Sequence, residues 1–230
     1  MKKEKWLLEK FYEHISDNKK EKFDAYVQDR TRHVTVVLEN IFQPHNAAAV
    51  LRSCDCFGVQ DVHIIENFNK YEPNKEIDMG SSKWLDTIKY SRTENNTTEC
   101  IQALKAKGYK IVATTPHTDD CMIEDLPLDQ PIALMFGTEL TGLTDEALEQ
   151  ADAYVRLPMY GFTESYNISV SVALALFSVT ERMRKDENVN WELSEDEQDS
   201  VKLGWAKQVV KHSEKVEKIL SERYEETASK

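Results

Sequence analysis

Three separated stretches carry most of the side chains able to do chemistry. Asn46-Ala47-Ala48-Ala49-Val50-Leu51-Arg52 sets a carboxamide and a guanidinium six residues apart and runs on to Phe57-Gly58. Phe136-Gly137-Thr138-Glu139-Leu140-Thr141-Gly142-Leu143 joins one carboxylate to two glycines and two hydroxyls. Leu157-Pro158-Met159 leads to Ser165-Tyr166-Asn167-Ile168-Ser169. A shorter fourth segment is Thr114-Thr115-Pro116. Glycine admits close backbone approach to a ligand, and main-chain N–H and C=O groups in such loops can read the edge of an adenine. Other chemistries lack their signatures. No G-x-G-x-x-G follows a strand, no G-x-x-x-x-G-K-[ST] occurs, and no G-x-S-x-G elbow is present, which argues against dinucleotide, P-loop and serine-hydrolase sites.

These stretches must be positioned by the elements around them. His33 to Glu39, Val62 to Ile65, Thr87 to Tyr90, Lys110 to Thr114, Pro131 to Phe136 and Tyr154 to Leu157 read as strands from their β-branched, nearly continuous apolar character. Helices are expected at 46–56, ending near Gly58, at 98–107, at 145–151 and at 168–184. This alternation predicts an α/β domain with a mainly parallel, doubly wound sheet. The candidate loops follow three strands, where open α/β sheets bind ligands. Two short helices are expected within residues 5–30, with Asn18 capping the second. A single last helix is expected over about 195–226, opened by the capping box Ser194-x-x-Glu197 with Leu193 before it, and striped by Val201, Trp205, Val209, Val216, Leu220 and Tyr224. The expected division is a helical extension at 1–32, a domain at 33–185 and a second extension at 186–230.

The chain of 230 residues carries a formal charge of −12, unusual for a nucleic-acid binder. The charge is uneven. Residues 1–33 hold nine Lys/Arg against seven Asp/Glu, and residues 66–160 hold nine against seventeen. The N-terminal stretch is therefore the best candidate for phosphate contact, through Lys19, Lys20, Lys22, Arg30 and Arg32. Four cysteines without C-x-x-C spacing point to no metal site and no disulfide framework. No apolar run reaches the length of a membrane span and no signal-peptide core follows the N-terminus, so a cytoplasmic location is the expectation.

Taken together and in this order, the three stretches resemble the motifs of the SPOUT superfamily of knotted RNA methyltransferases. Leu38-Glu39-Asn40-Ile41-Phe42-Gln43-Pro44-His45-Asn46 with Ala49 through Asp55 resembles the first motif of the tRNA guanosine-18 2′-O-methyltransferases, and Gly80-Ser81-Ser82-Lys83-Trp84 is similar to a further segment of that subfamily. Ser165, Asn167, Val170 and Ser171 fit its third motif. The resemblance spans roughly residues 30–185. It implies a C-terminal trefoil knot, S-adenosyl-L-methionine as cofactor, a homodimer with the active site at its interface, and tRNA as substrate. It implies catalytic roles for Arg52, Asn46, Ser165 and Asn167, with Thr114, Thr115, Gly137, Glu139, Leu157, Met159, Ser165 and Asn167 around the cofactor. His45 matches as well. Arg52 is read in two ways: as the base for the ribose hydroxyl, or as a fork holding phosphate and the developing alkoxide, since a guanidinium is normally always charged. Two alternatives stand beside the guanosine-18 reading: 2′-O-methylation of ribosomal RNA or the tRNA wobble nucleotide, and an RNA-binding assembly factor with little catalysis.

Overall fold

The computed structural model describes residues 2–41, 43–69, 80–116 and 121–228. Phe42 of the first motif and residues 70–79 of the polar stretch lie outside the described residues. Two compact units are present, one of residues 31–191 and one formed by both terminal stretches, residues 1–30 and 192–230. Both helical ends of the chain belong to one unit.

In the larger unit six parallel strands, β1 (Val34–Glu39), β2 (Asp61–Ile65), β3 (Asp86–Tyr90), β4 (Lys110–Thr114), β5 (Ile132–Phe136) and β6 (Ala153–Val155), form one sheet in the order β3-β2-β1-β5-β4-β6. The central strands β1, β2 and β5 are buried along their whole length, as parallel strands covered on both faces are. Helices cover both faces. Helix α3 (Pro44–Cys56) and helix α6 (Ile168–Lys185) pack on one, in a core that includes Val36, Leu38, Leu51, Leu134 and Leu176. Helices α4 (Asn96–Ala106) and α5 (Asp145–Gln150) cover the other, with Val37, Ile101, Leu104 and Met135. Chain order reverses between β1 and β5, so the loops after these neighbouring strands diverge and leave a crevice at their carboxyl ends.

Local chemistry explains several boundaries. Helix α3 begins two residues before the expected Asn46, because Pro44 occupies its first turn, where a missing N–H costs nothing. Gly58 ends it in the left-handed region at φ 77°. The segment Ser81–Trp84 is a 3₁₀ turn packed against α3, and Gln60 Nε2 donates to Trp84 O at 3.2 Å.

The smaller unit contains α1 (Lys3–Tyr12), α2 (Asp17–Tyr26), α7 (Glu195–Val209) and α8 (Ser213–Ala228). Helix α2 is preceded by Ser16 rather than by Asn18, which lies inside its first turn. The capping box of Ser194 and Glu197 is present. The single helix expected over 195–226 is two helices, because the chain turns at His212, whose φ is 57°. Trp205 packs on Phe23, and Trp6 on Tyr224. Among the described residues no helix is long and apolar enough to cross a membrane.

A buried histidine gives the larger unit a distinctive acid response. His63 on β2 stacks on Tyr90, and its Nδ1 lies 3.1 Å from Tyr90 Oη. Burial, aided by Lys107, pushes its pKa down to about 4. The unfolded chain therefore binds this proton more readily than the folded one, and stability falls as pH drops from about 6.5 towards 4. The shift corresponds to roughly 3 kcal/mol. Urea unfolding at pH 7 and pH 4.5 should show a smaller loss in His63→Phe than in wild type. Equal losses would contradict this account.

Candidate active site

The site is assembled at the crevice between β1 and β5. Asn46 lies in the first turn of α3, just after β1. Glu139 stands in the loop after β5, and Asn167 is the N-cap of α6. Their side chains meet. Asn46 Nδ2 donates to Glu139 Oε1 at 2.8 Å, and Asn167 Nδ2 donates to the same oxygen at 2.5 Å and to Asn46 Oδ1 at 3.1 Å. Asn167 Oδ1 accepts from Ser169 N at 2.9 Å and from Ser169 Oγ at 2.6 Å. The amide orientation of Asn167 is thereby set: its oxygen must face the helix N–H, so its nitrogen must face the carboxylate. Glu139 in turn aligns both carboxamides. Gln43 Oε1 accepts a longer bond from Asn46 Nδ2, at 3.3 Å.

Beside this cluster lies a cavity of about 330 Å³ lined by the segments after β4, β5 and β6. Thr114, Thr115, Gly137, Glu139, Leu157, Met159 and Ser165 all line it, and Asn167 borders it through the Glu139 contact. Its wall mixes apolar Leu143, Leu157 and Met159 with polar Thr138, Glu139 and Ser165, a composition suited to a mid-sized polar ligand with an apolar ring. The loop after β5 is very tight. Thr138 N donates to Gly142 O at 2.9 Å and Gly142 N returns a bond to Thr138 O at 3.0 Å. A Cβ on Gly137 would lie 2.0 Å from Gly142 C and 2.2 Å from Leu143 N.

Other expected residues are elsewhere. Arg52 is exposed, two turns beyond Asn46 on α3, and is not among the cavity-lining residues; His45 is also exposed. The set proposed for phosphate contact divides. Arg30 is buried, its guanidinium 5.2 Å from the Trp205 ring. Arg32 Nε pairs with Asp61 at 3.0 Å and its Nη2 with Asp86 at 2.8 Å. Arg30 is thus buried and Arg32 is half-buried and held by two carboxylates, so neither guanidinium stands as open to a phosphate as expected. Lys22 is exposed on α2, and Lys20 Nζ lies 2.9 Å from Asp17; Lys19 is half-buried on the same helix. Sequence reasoning had no reason to single out Gln43 or Ser169 as partners of the cluster, since short polar residues near helix starts are common.

An open parallel α/β sheet with a ligand-sized cavity at the carboxyl ends of its strands defines a class of small-molecule-binding domains. Residues 33–177 match the SpoU rRNA Methylase family, and the chain belongs to that family. It is 41% identical over 94% of its length to the tRNA (guanosine(18)-2′-O)-methyltransferase of Borreliella burgdorferi, covering 95% of that protein. It is 31% identical over 74% of its length to the enzyme of the same name from Thermus thermophilus, covering 86% of it. Among solved structures, the A. aeolicus TrmH/SpoU tRNA modifying enzyme superposes with a TM-score of 0.75 at 26% identity, over 85% of this chain and 98% of that one.

Proposed function

We propose that this protein transfers a methyl group from S-adenosyl-L-methionine to the 2′-oxygen of a guanosine ribose in tRNA, at position 18. The observation that carries the reading is the convergence of Asn46, Glu139 and Asn167 beside the strand-end cavity, in a chain whose relatives bear that activity in their names. The cavity suits the cofactor: its apolar wall of Leu143, Leu157 and Met159 can take the adenine, and Thr138, Glu139 and Ser165 can meet its polar groups. When bound, S-adenosylmethionine supplies an activated methyl on a sulfonium. The protein's own work is to orient the ribose oxygen, handle its proton and exclude water. Glu139 fixes the two carboxamides that border the cavity. Arg52 either grips the substrate phosphate and steadies the developing alkoxide or, in a neutral form, takes the ribose proton.

Arg52 lies outside the cavity lining of its own chain, which supports an active site completed by a second copy. The outward face of α6 fits that arrangement. Val170, Leu174 and Phe177 recur at i, i+4 and i+7 and are exposed, and Tyr160 and Phe162 stand fully exposed near the cavity rim. A homodimer would bury them. The trefoil knot belongs in this reading to the segment from β4 to α6. Lys19, Lys20 and Lys22 serve as phosphate contacts, and the protein works in the cytoplasm.

The decisive experiment offers total tRNA and ribosomal RNA with methyl-labelled cofactor and maps the product. The expected result is a 2′-O-methylguanosine at position 18 of tRNA. A product in ribosomal RNA or at the wobble nucleotide would keep the chemistry and refute the substrate. Cofactor binding without methyl transfer to any RNA would favour the assembly-factor alternative.

A further inference from the structure

Glu39, the last residue of β1, is 1% exposed and is not among the cavity-lining residues. Its carboxylate gathers donors from two distant segments. Thr97 Oγ1 donates to Oε1 at 2.6 Å, Thr144 Oγ1 donates to Oε1 at 2.8 Å, and Thr144 N donates to Oε2 at 2.9 Å. A carboxylate only accepts, so each bond runs from the threonine to Glu39. Thr97 Oγ1 already accepts from Asn67 Nδ2 at 2.8 Å, and Thr144 Oγ1 accepts from Ala147 N at 3.2 Å as the N-cap of α5. Each hydroxyl has one proton to give, and both protons go to Glu39. The carboxylate accepts all three, and an amide in its place would donate from one end and leave at least one threonine proton without its acceptor.

Thr144 is the first residue after the cavity-lining loop 137–143. The loop's entry is fixed by β5 and by the close contact of Gly137 with Gly142. Its exit is tied by Thr144 to Glu39, and through Glu39 to the central strand of the sheet. We propose that Glu39 is a positioning residue for cofactor binding: by anchoring Thr144 it holds loop 137–143 in the shape that receives S-adenosylmethionine. The inference rests on the reading of the cavity as the cofactor site. Glu39 touches no substrate. Its effect passes through one main-chain N–H and one hydroxyl.

The test is calorimetric titration of S-adenosylmethionine into the full chain, beside thermal unfolding. Glu39→Gln keeps the size but turns one acceptor into a donor facing donors, and should raise the cofactor Kd by roughly tenfold or more. Thr144→Val should act in the same direction, and Thr144→Ser, which restores the hydroxyl, should bind like wild type. Thr97→Val removes a donor to the same carboxylate from the α4 side, away from the loop. It should lower the unfolding midpoint while raising the cofactor Kd less than Thr144→Val does, because both bonds from Thr144 to Glu39 remain. This contrast separates positioning from mere stability. If Glu39→Gln fails to fold, the Thr144→Val and Thr144→Ser pair decides. Cofactor affinity within about twofold of wild type in Glu39→Gln and Thr144→Val, despite lowered midpoints, would overturn the proposal alone. A wild-type protein that binds no S-adenosylmethionine would overturn the cavity's reading, and the proposal with it.

Discussion

Replacing Arg52 by alanine is expected to leave the fold and S-adenosylmethionine binding intact while cutting methyl transfer below about a tenth of the wild-type rate, a barrier increase above about 1.4 kcal/mol. Fold should survive because α3 is held by Ala47, Ala48, Val50, Leu51 and Cys54 on its buried side, and alanine is the best helix former. Cofactor binding should survive because Arg52 is not among the cavity-lining residues. Single-turnover methylation with saturating tRNA, beside calorimetry of the cofactor, measures both. A rate above a tenth of wild type would remove Arg52 from the centre of the mechanism. The Arg52→Lys variant tests the reading of Arg52 as a fork on phosphate. A role met by charge alone keeps partial activity, and a bidentate grip does not.

Gly137→Ala is expected to have the opposite signature, with cofactor affinity lost by about a hundredfold or more, roughly 2.7 kcal/mol. The reason is steric. A Cβ would sit 2.0 Å from Gly142 C and 2.1 Å from Gly142 O, both backbone atoms of the same tight loop, so the loop itself must open. Gly142→Ala is the control. Its φ is 68° but a Cβ there meets nothing within 4 Å, so its cost is the backbone's alone, on the order of 1–2 kcal/mol. Calorimetry on both variants, with circular dichroism for fold, checks the contrast; equal affinities would refute it. The two inactive variants also test the interfacial site together. In mixed dimers of Arg52→Ala and Gly137→Ala, one site pairs an intact cavity with an intact Arg52. Statistical mixing should then restore about a quarter of wild-type activity. No recovery, with subunit exchange demonstrated, would place Arg52 in the site of its own chain.

Much of the larger unit was legible in the chain because buried parallel strands have a plain pattern. Val34–Glu39 and Ile132–Phe136 are apolar almost throughout, and both are central strands buried on two faces. Element ends were less legible. Pro44 rather than Asn46 opens α3, since only the cap geometry decides which polar or proline residue begins a helix. The long C-terminal helix divides at residues 210–212 although its apolar stripe continues through the turn. No glycine or proline marks the break, and the left-handed His212 leaves no trace in periodicity. Arg30 and Arg32 show a different limit. A basic residue type states a charge but not its partner, and here the partners are Trp205, Asp61 and Asp86.

The sequence by itself determined the alternation of strands and helices and placed the candidate loops after successive strands, because apolar periodicity and turn residues act over a few positions. It also supplied the motifs through which the family could be recognised. Only the tertiary structure decided which groups meet. Asn46 and Glu139 are 93 residues apart and Glu139 and Asn167 are 28 apart. Glu39 reaches Thr97 and Thr144 across 58 and 105 residues. These encounters follow from β1 lying beside β5 in the sheet, an arrangement made by burying both faces of the central strands at once. A hydrogen bond needs placement within a few tenths of an ångström, and packing of the whole domain, rather than local residue pattern, supplies it.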